Sequence, residues 1–170
     1  MGSEPIDVLL DREARRLVAA LAARSATLST AESLTAGMVS SAVAGVPGAS
    51  AVLRGGAVTY VNEVKERVLG VSARSIAEHT EVSHEVAREM AAGSRRLFGS
   101  DVAVSLTGYA GPGGGTEENP VGTVYIGVSS AAGTESFRRT FDGDRARVRA
   151  EATLAALGLA LARVDSMEIG

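Results

Sequence analysis

The alternation of strand and helix patterns along the chain constrains its fold more than any other sequence feature. Residues 27–31 have the composition of a short strand, and a polar turn at 32–37 and a small-residue helix at 38–44 follow at once. A second strand pattern, at 102–107, leads into a glycine-rich loop. This alternation is typical of an α/β protein, in which ligands bind where the strands end.

Two later segments predict a pair of neighbouring antiparallel strands. Residues 121–128 and 135–141 have strand composition, and the turn at 131–134 joins them as a hairpin. Helices are predicted to begin after the capping residues Ser72 and Ser83. The helix after Ser83 is predicted to bury four apolar side chains: Val86, Met90, Leu97 and Phe98.

The composition limits the classes of partner. The chain has 170 residues, which suits one domain over 1–170, and its 20 glycines with only 4% aromatic residues predict a tightly packed core of Ala, Val and Leu. A net charge of −3 argues against binding of nucleic acid or of an acidic membrane surface, so the expected partner is a small molecule. The absence of cysteine excludes disulfides and thiol catalysis, and with two histidines it argues against a zinc site.

No stretch approaches the 18 or so consecutive apolar residues of a membrane span, and no secretory signal pattern opens the chain. A cytoplasmic protein without a membrane partner is therefore the expectation. The sequence leaves open whether several copies of the chain assemble into a homo-oligomer.

Residues 49–65 combine a strand pattern with chemically useful side chains. Ser50 precedes the apolar run at 52–61, Tyr60 lies near the end of that run and Lys65 follows on a predicted helix, while Gly55 and Gly56 predict a bulge. A serine becomes a nucleophile when a base takes its proton, and a lysine can be that base if burial lowers its pKa. Ten extended residues separate Ser50 from Tyr60, so only a bend could bring Ser50 to the lysine. Spacing alone favours three ordinary structural residues over a catalytic set.

The turn at 32–37 allows two interpretations. Free N–H groups at the start of the following helix favour an anion, which would make Ser33 and Thr35 ligand-binding residues. Either hydroxyl could equally be a simple helix cap.

The glycine-rich loop at 108–115 allows backbone to approach a ligand closely, although a flexible loop would have the same composition. The loop lacks the Gly-Lys-Ser/Thr sequence of a P-loop and the glycine spacing of a dinucleotide fingerprint. Three arginines lie in the first turn of the last helix, where they oppose the helix dipole, and they suit either an anion or a solvated surface: Arg145, Arg147 and Arg149.

Several segments together resemble the CinA family, specifically its C-terminal domain, which also occurs alone as a nicotinamide-nucleotide amidohydrolase. They are residues 30–37, the stretch from 47–50 to 60–65, and 108–112 with 120–124; residues 143–145 also fit. The resemblance covers nearly the whole chain in order. With the strand and helix alternation, it implies one three-layer α/β/α sandwich with a mixed central sheet.

The resemblance implies hydrolysis of the carboxamide of nicotinamide mononucleotide (NMN) by a serine and a lysine, without metal or cofactor. Residue by residue it implicates Ser33, Ser50, Tyr60 and Lys65. We favour Ser50 as nucleophile, Lys65 as base and Tyr60 as assistant, with Ser33 a close second for the attacking group. Ser33 and Thr35 would otherwise orient substrate or form an oxyanion site with helix N–H groups. The expected phosphate-binding groups are in the glycine loop and the last helix: Gly108, Ala110, Gly111 and Arg145.

The chain departs from the family pattern at three positions. Ala36 replaces a usual glycine, Val61 a common small hydroxyl residue, and Asn119 a frequent lysine. The last change puts phosphate affinity in doubt. Two alternatives stay open: an amidohydrolase acting on a different small amide, and a non-catalytic nucleotide-binding or regulatory module.

Overall fold

A computed structural model describes residues 4–167 of the chain, which form a five-stranded sheet between two layers of helices. The helices are α1 (Ile6–Ala23), α2 (Met38–Ala44), α3 (Asn62–Leu69), α4 (Ala73–His79), α5 (His84–Phe98) and α6 (Arg145–Asp165). The strands are β1 (Leu28–Glu32), β2 (Leu53–Val58), β3 (Val102–Gly108), β4 (Thr123–Ser130) and β5 (Gly133–Thr140). A 3₁₀ turn at Ala49–Ala51 precedes β2.

The sheet has the order β2-β1-β3-β4-β5 and is mixed, as predicted. Strands β2, β1 and β3 are parallel to one another, whereas β4 pairs antiparallel with both β3 and β5. The central strand β1 is buried along its whole length, which agrees with helices covering both of its faces. The carboxyl ends of the three parallel strands therefore meet at one edge of the sheet.

The helices complete the three-layer α/β/α sandwich. On one face, α1, α2 and α6 pack together over an aliphatic core that includes Leu17, Val104 and Leu157. On the other face, α5 lies across β1, β3 and β4, and α3 and α4 pack beside it. The second core there is smaller and contains Ala31, Leu69 and Met90. This architecture confirms the fold class expected from the sequence.

Capping residues set the helix starts as predicted. The Ser72 and Ser83 hydroxyls accept hydrogen bonds from Ser75 N and Val86 N at the starts of α4 and α5.

One core prediction for α5 is wrong, because the Leu97 side chain is 51% exposed. Leu97 lies in the last turn of the helix and faces solvent, whereas Val86 and Met90 are fully buried.

The predicted strand around Gly55 and Gly56 is shorter than expected. The pairing of β1 with β2 shifts by one residue between Leu28 and Ser29, which is the predicted bulge. Strand β2 then ends at Val58 instead of continuing to Val61. The chain turns after Thr59, whose N–H donates to the Glu32 carbonyl, and this turn brings α3 back over the sheet edge.

Among residues 4–167, no helix is long and apolar enough to cross a membrane. The same residues contain no cluster of three His, Cys, Asp or Glu side chains arranged to hold a metal ion.

Candidate active site

A pocket of about 190 Å³ lies at the edge of the sheet where β1, β2 and β3 end. Ser33 directly follows β1, and Tyr60 and Lys65 follow β2, so the parallel strand order brings all three to this edge. The loop after β3 forms the opposite wall with Gly108, Ala110 and Gly111, and Arg145 lies at the start of α6. Seven of the residues predicted from the sequence therefore line one pocket.

Ser33 and Lys65 form the chemical centre of the pocket. Lys65 Nζ donates to Ser33 Oγ over 3.3 Å and to the Tyr60 carbonyl over 3.3 Å. Both side chains are buried: Lys65 is 1% exposed and Ser33 8% exposed. A serine hydroxyl held against a buried amine is the arrangement that proton transfer from the hydroxyl requires.

Burial determines the electrostatics of Lys65. Removal of the ammonium group from water lowers the pKa of Lys65 from its ordinary value of 10.5, and the negative charge of Glu81 partly opposes this shift. A lowered lysine pKa increases the fraction of neutral amine near neutral pH. The neutral amine is the form that can accept a proton from Ser33.

Tyr60 lies at the mouth of the pocket and is joined to Arg145. The Tyr60 side chain is 51% exposed, and its hydroxyl accepts a 2.7 Å hydrogen bond from Arg145 Nη2. The other terminal nitrogen, Nη1, donates to the Gly111 carbonyl over 2.8 Å. Arg145 thus ties Tyr60 to the glycine loop, and its exposed guanidinium is available to an anion outside the pocket.

A buried carboxylate shapes the turn that carries Ser33. The Glu32 side chain is 1% exposed and accepts hydrogen bonds from the backbone N–H groups of Gly37, Val39 and Ser40. These groups include the start of α2, where we expected N–H groups to face an oxyanion. That expectation is wrong, because the protein's own carboxylate already fills the positive end of this short helix.

The carbonyl groups of the same turn are held from the other side. Arg149 of α6 donates through Nε to the Leu34 carbonyl over 2.8 Å and through Nη2 to the Thr35 carbonyl over 3.1 Å. In a trans peptide the N–H points opposite to the C=O. The Thr35 N–H therefore points away from Arg149.

The backbone N–H groups of Leu34 and Thr35 donate to no acceptor within residues 4–167. They directly follow Ser33, and Leu34 lines the pocket. The Thr35 side chain itself is fully buried, its Oγ1 has no hydrogen-bond partner among the described residues, and it does not line the pocket. Thr35 can therefore contribute its backbone to the pocket but not its hydroxyl.

Ser50 lies at the other edge of the sheet. It is exposed in the 3₁₀ turn that precedes β2, whereas Lys65 follows the end of β2. Six strand residues, roughly 20 Å of extended chain, separate the two edges. The structure does not bring Ser50 to Lys65, and the serine hydroxyl in contact with Lys65 Nζ is that of Ser33.

Sequence reasoning missed Glu32, Glu81 and Arg149. Glu32 carried a detectable signal, because an acidic residue at the end of an otherwise apolar or small-residue strand requires buried partners. The sequence identifies Arg149 only as one of three arginines in the first turn of α6, and in the structure those three side chains diverge. Arg145 reaches the pocket, Arg149 binds the turn after β1, and Arg147 forms an ion pair with Glu151.

Two of the departures from the family pattern are now located. Ala36 adopts a φ of 47°, in the left-handed region that favours glycine, so the family's glycine suits this position. Asn119 is buried outside the pocket, where its Oδ1 accepts a 2.9 Å hydrogen bond from the Tyr125 hydroxyl. The Asn119 side chain therefore holds the loop before β4 and does not face the pocket.

The fold and the pocket define an α/β protein with a serine–lysine pair at the carboxyl edge of its parallel strands. The chain belongs to the CinA C-terminal domain family, whose model matches residues 11–164. A CinA-like protein of Anaeromyxobacter sp. (strain K) is 52% identical over 143 residues, 84% of this chain and 35% of that protein. A CinA-like protein of Citrifermentans bemidjiense is 49% identical over 142 residues, 84% of this chain and 34% of that protein.

The chain thus spans about a third of the length of these curated relatives. Solved structures match over almost their whole length. The competence damage-inducible protein A of Klebsiella pneumoniae superposes with a TM-score of 0.90 at 34% identity, covering 94% of this chain and 99% of that chain. The competence/damage inducible protein CihA of Agrobacterium tumefaciens gives 0.89 at 33% identity, covering 98% and 100%.

Proposed function

We propose that this protein hydrolyses the carboxamide of NMN to nicotinic acid mononucleotide and ammonia, with Ser33 as nucleophile and Lys65 as general base. The observation that carries the proposal is the contact between Lys65 Nζ and Ser33 Oγ, 3.3 Å apart and buried. The choice of NMN over other amides rests on the family resemblance.

The reaction begins with proton transfer from Ser33 to the neutral amine of Lys65. The resulting Oγ attacks the carboxamide carbon and forms a tetrahedral intermediate with a negative oxygen. The Leu34 and Thr35 N–H groups, which have no other acceptor in the described chain, are the proposed donors to that oxygen. The Lys65 ammonium then protonates the leaving nitrogen, which departs as ammonia and leaves an ester on Ser33.

The second half of the reaction returns the protein to its starting state. Lys65, neutral again, takes a proton from water as the water oxygen attacks the ester carbon. The tetrahedral intermediate collapses, the carboxylic acid product leaves, and Ser33 Oγ recovers its proton from Lys65. One water is consumed and one ammonia is released.

The size of the pocket supports an extended binding mode. A volume of about 190 Å³ suits one heteroaromatic ring with its carboxamide better than a whole nucleotide. The ribose phosphate would then lie outside, against Arg145 and the glycine loop. Tyr60 links these groups to the reacting centre through its carbonyl, which accepts from Lys65 Nζ, and its hydroxyl, which accepts from Arg145.

The test is ammonia release from NMN by the purified protein and two matched serine variants. We expect Ser33→Ala to abolish turnover while NMN still binds, and Ser50→Ala to retain it within about twofold. Members of one catalytic unit lose most of the rate when replaced singly. Turnover by Ser33→Ala would overturn the nucleophile assignment.

If the unmutated protein hydrolyses other amides but not NMN, the alternative of an amidohydrolase with a different substrate is correct. If it hydrolyses neither, the alternative of a non-catalytic binding module is correct.

A further inference from the structure

Glu81 is the sole carboxylate among the described residues that line the pocket. It lies between α4 and α5 and lines the same pocket as Ser33 and Lys65. Its backbone is fixed to the sheet edge, because the Thr107 hydroxyl at the end of β3 donates to the Glu81 carbonyl over 2.6 Å. The Glu81 side chain therefore projects from an anchored segment.

The residue before Glu81 supports the same conclusion. Thr80 has a φ of 65° and a ψ of 167°, a backbone conformation that is strained for a β-branched residue. Its N–H donates to the Ile76 carbonyl at the end of α4. Such strain persists where the surrounding structure over-determines the chain, and here it directly precedes Glu81, which lines the pocket.

The Glu81 carboxylate forms no salt bridge and no side-chain hydrogen bond within residues 4–167. Its charge nevertheless reaches two pocket residues: burial raises the pKa of Tyr109 and Glu81 adds to that shift, and Glu81 opposes the burial that lowers the pKa of Lys65. For catalysis by a neutral lysine, a nearby carboxylate is a disadvantage, because it favours the ammonium form. The proton-transfer step alone therefore gives no reason for an acid at this position.

A cationic group on the substrate would give such a reason. NMN carries its carboxamide on a pyridinium ring, whose positive charge would lie in the pocket when the amide carbon reaches Ser33. A carboxylate in the wall attracts that charge, and the ring charge in turn favours the neutral form of Lys65. The far end of the same substrate is an anion, which suits the exposed Arg145 at the mouth.

We propose that Glu81 is a specificity-determining residue that selects substrates with a positive charge on the ring bearing the amide. The inference rests on the proposed function and narrows its substrate class to zwitterions, with a cationic ring inside the pocket and an anion outside. Glu81 acts here on the bound ring and is separate from the bond-making residues.

The test compares NMN with its reduced form, which has the same carboxamide and ribose phosphate but an uncharged dihydropyridine ring. Dissociation constants are measured calorimetrically in the Ser33→Ala background, so that turnover does not interfere. Glu81→Gln is added, and Glu78→Gln serves as the matched control, because it removes one negative charge from an exposed residue outside the pocket. Glu78 lies three residues earlier in the chain.

We expect Glu81→Gln to weaken NMN binding on the order of tenfold and to leave binding of reduced NMN within about twofold, as one ion pair in a partly exposed pocket predicts. Glu78→Gln should change neither. Equal weakening of both forms, or no effect on NMN, overturns the inference even if ammonia is released. Selective weakening without ammonia release by the unmutated protein overturns the proposed function and leaves the inference intact. Absence of binding by both nucleotides overturns both.

Discussion

Arg145 Nη2 and the Tyr60 hydroxyl are joined by a 2.7 Å hydrogen bond between residues 85 positions apart in the chain. Because the arginine donates, the phenolic proton is not used in this bond and stays available to a substrate oxygen. The same guanidinium holds the Gly111 carbonyl. The two residues therefore form one rim, in which the loss of either partner releases the other.

We predict that Arg145→Ala raises KM for NMN by tenfold or more with a small effect on kcat, because phosphate is bound equally in ground and transition states. Tyr60→Phe should raise KM less, and the double variant should show less than the sum of the two effects. Steady-state kinetics of the three variants provide the measurement. Arg147→Ala is the control, since Arg147 lies two residues away and pairs with Glu151. Strict additivity would show that the rim does not act as a unit.

The lowered pKa of Lys65 predicts how activity depends on pH. In the proposed mechanism the neutral amine is the active form, so kcat/KM should rise with pH through a single step whose midpoint lies below the ordinary lysine value of 10.5. The measurement is a pH profile of ammonia release. A rate that keeps climbing beyond pH 10.5 would show that Lys65 is not the base.

The lowered pKa of Lys65 also predicts how the stability of the fold depends on pH. Between the lowered folded pKa and the unfolded value, the unfolded chain binds more protons, so the free energy of unfolding should increase as pH rises through this window. Lys65→Met keeps most of the volume and removes the buried amine. We expect it to be inactive, to unfold at an equal or higher temperature near neutral pH, and to lose this pH dependence. The measurement is a set of unfolding curves of the unmutated protein and of Lys65→Met at several pH values.

The difference between Ser33 and Ser50 shows where sequence reasoning stops. Strand patterns located β1, β2 and the chemically useful residues near them, but strand direction decides which ends share an edge. Ser33 and Lys65 follow parallel strands and meet, whereas Ser50 precedes β2 and faces the opposite edge. Local composition does not encode this relationship; the pairing of two strands 25 residues apart does.

The roles of Glu32 and Arg149 could not be predicted for a related reason. The Glu32 carboxylate bonds N–H groups five to eight positions later, which a strand-turn-helix pattern could have suggested. Arg149 donates to carbonyls 114 and 115 residues earlier in the chain. This contact exists only after α6 packs beside the turn that follows β1. Helix starts and caps, in contrast, depend on neighbours within one turn, and those of α4 and α5 were predicted correctly from Ser72 and Ser83.

Glu32 gives a prediction that separates the geometry of the turn from its chemistry. Glu32→Gln replaces one accepting oxygen with an NH₂ group that faces backbone donors, so we expect unfolding to become easier by about 1–3 kcal/mol. If this carboxylate positions Ser33 and the Leu34 and Thr35 N–H groups, kcat should also fall by at least about tenfold with KM little changed. The free energy of unfolding and kcat are both measured at a temperature well below Tm. Glu13→Gln, on α1, is the matched control, and an unchanged kcat in Glu32→Gln would contradict a positioning role.

Val61 gives a prediction about the helix that carries Lys65. It occupies the N-cap of α3 with extended backbone angles, φ −108° and ψ 155°, but its side chain makes no capping hydrogen bond and is 56% exposed. A serine in the same backbone conformation could accept from an N–H in the first turn of α3, so Val61→Ser should stabilise the fold by about 1 kcal/mol. For a domain of this size that corresponds to a rise of roughly 2–4 °C in Tm. Thermal unfolding is the measurement, and Val61→Ala is the control because it removes the branched side chain without adding an acceptor. A serine variant no more stable than the alanine variant would show that the N–H groups at the start of α3 gain nothing from a side-chain acceptor.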